Sequence, residues 1–141
     1  MINDGLNLKG KLAIALNGKV VQEVDNIVVT TGKGYVASRM KDASATAMSH
    51  MAIGSGTTNP AAGDTALETE LGRVALTSTS VSSNVVTYTA TFAAGTGTGA
   101  VTEAGILNAS SSGTLLCRTE FSVVNKGSAD SMTITWTVTV S

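Results

Sequence analysis

The chain has 141 residues, of which 43% are hydrophobic and only 13% charged, and its formal net charge is −1. That length suits one domain with a sizeable core, the net charge offers no electrostatic argument for nucleic acid, and no apolar run approaches the ~20 residues of a membrane span. A single cysteine, Cys117, excludes an internal disulfide and has no partner at metal-ligand spacing.

The opening residues, Met1-Ile-Asn-Asp, lack the basic-then-apolar order of a signal peptide. The charged fraction is about half the ~25% of an ordinary soluble domain, so the polar surface must be built from Thr, Ser, Asn and Gly. A surface with so little charge tends to associate, which favours a component of an assembly over a freely diffusing enzyme.

Residues 6–16 alternate: Leu6, Leu8, Leu12, Ile14 and Leu16 fall on one side, Lys9, Lys11 and Ala13 on the other. A period of two predicts a strand. Asn17-Gly18 follows, the pair suited to a type I′ hairpin turn, whose two central residues take positive φ. A two-residue loop sets Ile14 opposite Val21 and joins their apolar sides. The return strand runs from Val20 to Val29. Residues 1–30 are thus expected to form an N-terminal β-hairpin arm and residues 31–141 a body, within a single domain overall.

Thr30-Thr31-Gly32-Lys33-Gly34 opens a helix to about Met40, with Thr30 or Thr31 as its cap and Val36, Ala37 and Met40 on one side. The Gly-Lys pair is not a phosphate loop, because that motif needs Ser or Thr after the lysine and Gly34-Tyr35 follows here. Residues 42–49 form a connector of small residues.

Met51 to Arg73 is the hinge of the sequence. It opens as a short apolar strand, Met51 to Ile53, breaks on Gly54 and Gly56, and passes the chain's single proline, Pro60. A small helical piece is expected next, with Asp64 as helix cap and Glu68 in its first turns. Asp64, Glu68 and Glu70 do not match the spacing of a calcium loop, so the cap is the preferred reading.

Strands then dominate. Val74 to Ser80 alternate weakly and turn at Ser82-Ser83-Asn84; Val86, Tyr88, Ala90 and Phe92 share a face opposite Thr87, Thr89 and Thr91. Gly95-Thr-Gly-Thr-Gly99 reads as a flexible loop. Val101–Leu107 and Leu115–Val124 form a pair joined by residues 108–113. In the last strand Met132, Ile134, Trp136, Val138 and Val140 face the core, and the intervening threonines supply β-propensity without charge. The expected core therefore includes Ile14, Val21, Tyr88, Phe92, Ile134, Trp136 and Val138. The fold class is mainly β: an antiparallel β-sandwich or barrel with an N-terminal β-hairpin and one short α-helix.

Glu103 lies in an apolar context, Val101-Thr-Glu-Ala-Gly-Ile-Leu107, where a buried carboxylate needs a cation. Arg118 in the next strand and Arg73 at the end of the hinge are the candidates. A structural ion pair is preferred to a catalytic acid, which lacks its second partner. His50 is the sole histidine, and a general base needs a positioned nucleophile that the sequence does not identify. Cys117 reads as a small core residue, and Trp136 and Phe92 as core residues, not as a base-stacking platform. No catalytic, cofactor-binding or metal-binding set emerges, which leaves assembly or binding as the functional classes.

Three stretches carry a resemblance: Asn26-Ile-Val-Val-Thr-Thr-Gly-Lys-Gly-Tyr-Val-Ala-Ser-Arg-Met40, the hinge from Met51 to Arg73, and Glu103 to Lys126 closed by the final Thr/Trp strand. In this order they resemble small virion structural proteins of tailed bacteriophages, a group that includes head decoration (cement) proteins and tail-fibre domains. The resemblance implies a β-rich module, commonly a homotrimer, made in the host cytoplasm and carried on the outer surface of the phage head. Its implied partner is the major capsid protein, whose subunit contacts it would stabilise, with no cofactor, nucleic acid or membrane. The alternative within the resemblance is a tail-fibre or adhesion module that binds a host surface receptor. The small size and the absence of a long repeat or coiled-coil stem weigh against that alternative.

Overall fold

The computed structural model describes residues 5–41 and 45–141. The opening tetrapeptide and residues 42–44 of the small-residue connector lie outside the described residues. Among the described residues the elements are β1 (Leu8–Leu16), β2 (Lys19–Val28), α1 (Thr30–Lys41), β3 (His50–Gly54), β4 (Glu70–Ala75), β5 (Ser78–Ser82), β6 (Val85–Phe92), β7 (Gly99–Leu107), β8 (Leu115–Lys126) and β9 (Met132–Val140). The fold is mainly β, as the period-two patterning predicts. All strand pairs are antiparallel, in the order β4-β3-β7-β8-β2-β1-β9-β6-β5.

This sheet curls into a half-barrel, and two strands make the corners. β2 pairs with β1 over most of its length, but with β8 only at Ile27 and Val28. On the far side, only Leu76 and Thr77 separate β4 from β5. The Leu76 amide donates to the Ser49 carbonyl, next to β3, and the Thr77 amide donates to the Thr89 carbonyl of β6. The chain thus leaves one half of the sheet and enters the other within two residues, which is how sheets turn corners.

Curling brings the inner faces of both halves together. Leu12 and Ile14 of β1, Phe92 of β6 and Ile134 and Trp136 of β9 pack with Met51 and Ile53 of β3, Ile106 of β7 and Phe121 of β8. Ile14, Phe92, Ile134 and Trp136 are fully buried, and Tyr88 and Val138 nearly so. The indole Nε1 of Trp136 donates to Asn26 Oδ1 at 2.8 Å. Asn26 can lie there because its cross-strand partner is Gly10, where a Cβ would overlap the Asn26 side chain.

Val21 is not in the core. Asn17 and Gly18 do form the turn, with φ of 50° and 82°, and Leu16 pairs with Lys19. The register then slips between Ile14 and Ala15, so Ile14 faces Gln22 and not Val21. Val21 is the extra residue of a β-bulge and is 45% exposed. A shift of one residue sends each following side chain to the opposite face. The inward series of β2 is therefore Gln22, Val24, Asn26 and Val28. The hairpin itself is integral to the sheet, since β1 is bonded to β2 on one side and to β9 on the other.

Helix α1 closes one mouth of the half-barrel. Thr30 and Thr31 fall within its first turn instead of preceding it. The Thr30 amide donates to the Ala62 carbonyl at 2.8 Å, and Thr31 Oγ1 donates to the Leu115 carbonyl at 3.1 Å, so that hydroxyl docks the helix and does not cap it. Gly32 permits the close approach, because a Cβ there would sit 2.1 Å from the Leu116 carbonyl oxygen. A Cβ on Gly34 would meet nothing within 4 Å.

These two glycines should answer the same substitution with opposite signs. Gly34→Ala is expected to stabilise the protein by about 0.4–1 kcal/mol by restricting the unfolded chain. Gly32→Ala is expected to destabilise it by about 1–3 kcal/mol through overpacking against β8. Urea unfolding midpoints of the two variants check this.

Candidate functional site

The inner face of β7 and β8 belongs to the core just described, and their outer face carries the charges. Ile106 and Cys117 pair on the inner side, so Gly105 and its partner Arg118 point outward, as does Glu103 two residues before Gly105. That outer face is nevertheless buried. Residues 55–69, the irregular connection from β3 to β4, lie over it and place Leu67 against Ala52, Leu107, Leu115 and Val29.

Glu103 is fully buried, and its carboxylate holds that connection in place. Oε2 accepts the Gly56 amide at 2.7 Å and the Thr69 amide at 2.8 Å. Oε1 accepts the Glu68 amide at 2.9 Å and Arg118 Nε at 3.0 Å. Gly54 and Gly56 are small for this reason. A Cβ on Gly54 would lie 2.6 Å from Glu103 Oε2, and one on Gly56 would lie 2.4 Å from it. The Thr102 hydroxyl adds a further tie by donating to the Gly56 carbonyl at 2.7 Å.

Arg118, 2% exposed, is the cation of this node. Its Nη2 lies 3.0 Å from Glu103 Oε1 and donates to the Thr58 carbonyl at 3.0 Å, and its Nη1 donates to Asp64 Oδ2 at 3.0 Å. The planar fork thus bridges β7 to two points on the covering segment, a geometry suited to arginine and not to lysine.

Asp64 caps no helix, because residues 55–69 contain none. Its carboxylate accepts the Ala61 amide at 2.9 Å, while its own amide donates to the Ala61 carbonyl at 3.0 Å, closing a tight turn beside Arg118. A helix starting there would have used the amides of Glu68 and Thr69 within its own turns. Glu103, buried without other solvation, takes them instead.

Arg73 does not reach Glu103. In β4 it stands opposite Ala52, in the middle of β3, whereas Glu103 stands opposite Gly54 at its end. Arg73 instead forks onto Glu70, with Nη2 to Oε1 at 2.7 Å and Nε to Oε2 at 3.1 Å. Its Nη1 donates to the carbonyls of Ala109 and Ser112, fastening the turn between β7 and β8.

Sequence reasoning placed Glu68 in the first turns of a helix that is absent, and missed Asp130 and Lys126. Glu68 accepts the Thr58 hydroxyl and the Thr57 amide, and these bonds, the hydroxyl first, hold its carboxyl below the usual range. Asp130 is lowered likewise, first by the Asn17 side-chain amide and then by the Gly127 amide. Lys126 is buried at the end of β8, where Nζ donates to the Ala93 carbonyl at 2.9 Å. The signal for Glu68 was the Thr57-Thr58 pair after Gly56, but nothing local says that residues 57 and 68 meet.

The remaining candidates are quiet. Ser49 Oγ lies 2.8 Å from His50 Nδ1, a contact between chain neighbours at the start of β3. Cys117 is fully buried, and burial raises its thiol far above the ordinary range. Among the described residues no group of three or more His, Cys, Asp and Glu side chains could hold a metal ion, and no helix is long and apolar enough to cross a membrane. At the mouth beside α1 an apolar groove of about 540 Å³ opens between the helix and the rim formed by β5, β6 and β9. No protein-family model, curated protein or solved structure matches the chain.

The node makes a prediction about pairing. Glu103→Gln and Arg118→Met should each cost about 3–5 kcal/mol, since the first leaves buried Arg118 with only the partly exposed Asp64 as counter-ion and the second leaves buried Glu103 with none. The double variant should cost clearly less than the sum of the two, as a thermodynamic cycle of unfolding energies will show.

Acid should reveal the lowered carboxylates. A carboxylate whose pKa is depressed by folding stabilises the native state above its unfolded pKa and loses that contribution as the pH falls through the folded value. Stability should therefore be full at neutral pH and decline below the ordinary carboxylate range. Glu68→Gln should shallow that decline in melting temperature against pH while changing little in relative terms at the acid end.

Proposed function

We propose that this protein is a bacteriophage capsid decoration (cement) protein. It binds the outside of the phage head as a trimer and stabilises contacts between major capsid subunits. The observation that carries the reading is where its reactive side chains are spent. Glu103, Arg118 and Asp64 fasten the 55–69 segment to the sheet, and Glu68 ties that segment to itself through Thr57 and Thr58. What remains outside is a surface of low net charge, faced with Thr and Ser along strands such as β5 and β9. Such a surface is suited to contact. The resemblance of residues 26–40, 51–73 and 103–126 to small virion proteins supports the same reading.

A cement protein stabilises the shell by mass action, because it binds the assembled lattice and not the dissociated subunit. Several lattice contacts within one trimer then strengthen each other through effective concentration. Particles assembled without the protein should lose their DNA at a lower temperature than complete particles, and adding the purified protein back should restore the difference. Equal heat resistance with and without it would overturn the reading, as would immunogold label on the tail in place of the head.

A further inference from the structure

The sheet has two outermost strands, β4 and β5, and β5 is the more exposed of the two. It is last in the strand order, bonded to β6 on one side only, and every one of its five residues is exposed. Proteins commonly protect such an edge with Lys, Pro or a covering segment. β5, Ser78-Thr-Ser-Val-Ser82, contains neither residue. Its pleat is also informative. Thr79 and Val81 stand opposite Tyr88 and Val86, so they turn toward the apolar groove at the mouth of the half-barrel. Val81 is 73% exposed and Met40, on the opposite wall, 75% exposed.

The open edge and the groove therefore adjoin. A strand added beside β5 would satisfy its free backbone groups and send alternate side chains between Val81 and the α1 wall of Val36 and Met40. The groove volume of about 540 Å³ falls within the range of ordinary ligand-binding clefts. Charge completes the description of the occupant. Among the described residues lining this groove and the smaller one that continues it past Leu8, the charged side chains are Arg39 and Lys33, both cationic.

We propose that the β5 edge and the adjoining groove capture an extended segment of the partner protein, with apolar residues at alternate positions and an acidic residue that meets Arg39. This rests on the capsid-decoration reading, which makes that partner the capsid subunit. The segment adds to the sheet as a further strand. Main-chain hydrogen bonds anchor it, and the groove selects its side chains.

The test uses the purified full chain and empty shells assembled from the major capsid protein. Val81→Lys and Arg39→Glu should each weaken shell binding by about tenfold or more. Val123→Lys, at an exposed apolar position of β8 away from this edge, should bind as the unaltered chain does. Unfolding midpoints of all three serve as the folding control. In addition, Val81→Cys carrying a photoreactive maleimide should crosslink to one extended, acid-containing peptide of the capsid subunit; Cys117 is buried and does not compete for the reagent. If the unaltered chain binds shells and both Val81→Lys and Arg39→Glu bind equally well, this inference fails and the decoration reading stands. A crosslink from Val81 to Val81 of a second copy would make the occupant another copy of this chain and would also overturn it. If the unaltered chain does not bind shells at all, both readings fail together.

Discussion

A carboxylate buried on the wrong side of a sheet organises much of this molecule. Glu103 projects from β7 away from the main core, yet no water reaches it. An ionised group so placed is costly unless donors surround it. Here three backbone amides and the Arg118 guanidinium supply them. All three amides come from the 55–69 segment, whose path is therefore dictated by the needs of a single charge. Gly54 at the end of β3, Gly56 just inside the segment, the turn at Asp64 and the burial of Leu67 all follow from bringing the backbone within reach of Glu103. The pair need not add net stability relative to an apolar alternative. What it confers is a defined position for a long connection that has no regular structure of its own.

This explains why part of the molecule could be read from its sequence and part could not. β6 and β9 were legible because strict alternation of large apolar residues with threonine has one structural solution, an inner and an outer face. The pairing of Glu103 with Arg118 was legible for a related reason, since a lone acid in an apolar strand calls for a cation on the strand beside it. Val21 was misread because a hairpin turn fixes only the first pairs, and the slip between Ile14 and Ala15 has no signature in residue type. Asp64 and Arg73 were misread because local rules compete with distant ones. A good capping residue is also a good acceptor for arginine, and Arg118 lies 54 positions further along the chain. Arg73 had an acid three residues away in Glu70, and a near partner on the same strand outcompeted the distant Glu103.

The division of labour between faces also bears on how so weakly charged a chain stays ordered. Its ionic interactions are divided between surface and interior: Lys11 and Glu23 pair in the open at 3.8 Å, while the arginine pairs lie deeper. Arg118 and Lys126 are buried, and the side chain of Arg73 is nearly so. Each satisfies backbone carbonyls as well as acids, or carbonyls alone. Threonine and serine then cover the outward faces of β5, β6 and β9, whereas β1 and β2 expose Lys9, Lys11, Lys19, Glu23 and Asp25. The result is a body stiffened from within and left almost neutral outside.

The strand order has a consequence for how the protein comes to be made. β1, near the start of the chain, is bonded along its whole length to β9, at the end. The core strand pair β1–β9 therefore cannot form until β9 has been made, and the early hairpin must wait with one edge open. Loop-closure entropy on that scale makes folding slow compared with helical proteins of similar size. The same pairing works in reverse once the sheet has closed. Pulling the first strand out means breaking the last one too, so the native state should persist through a high unfolding barrier, a kinetic form of durability distinct from its equilibrium stability.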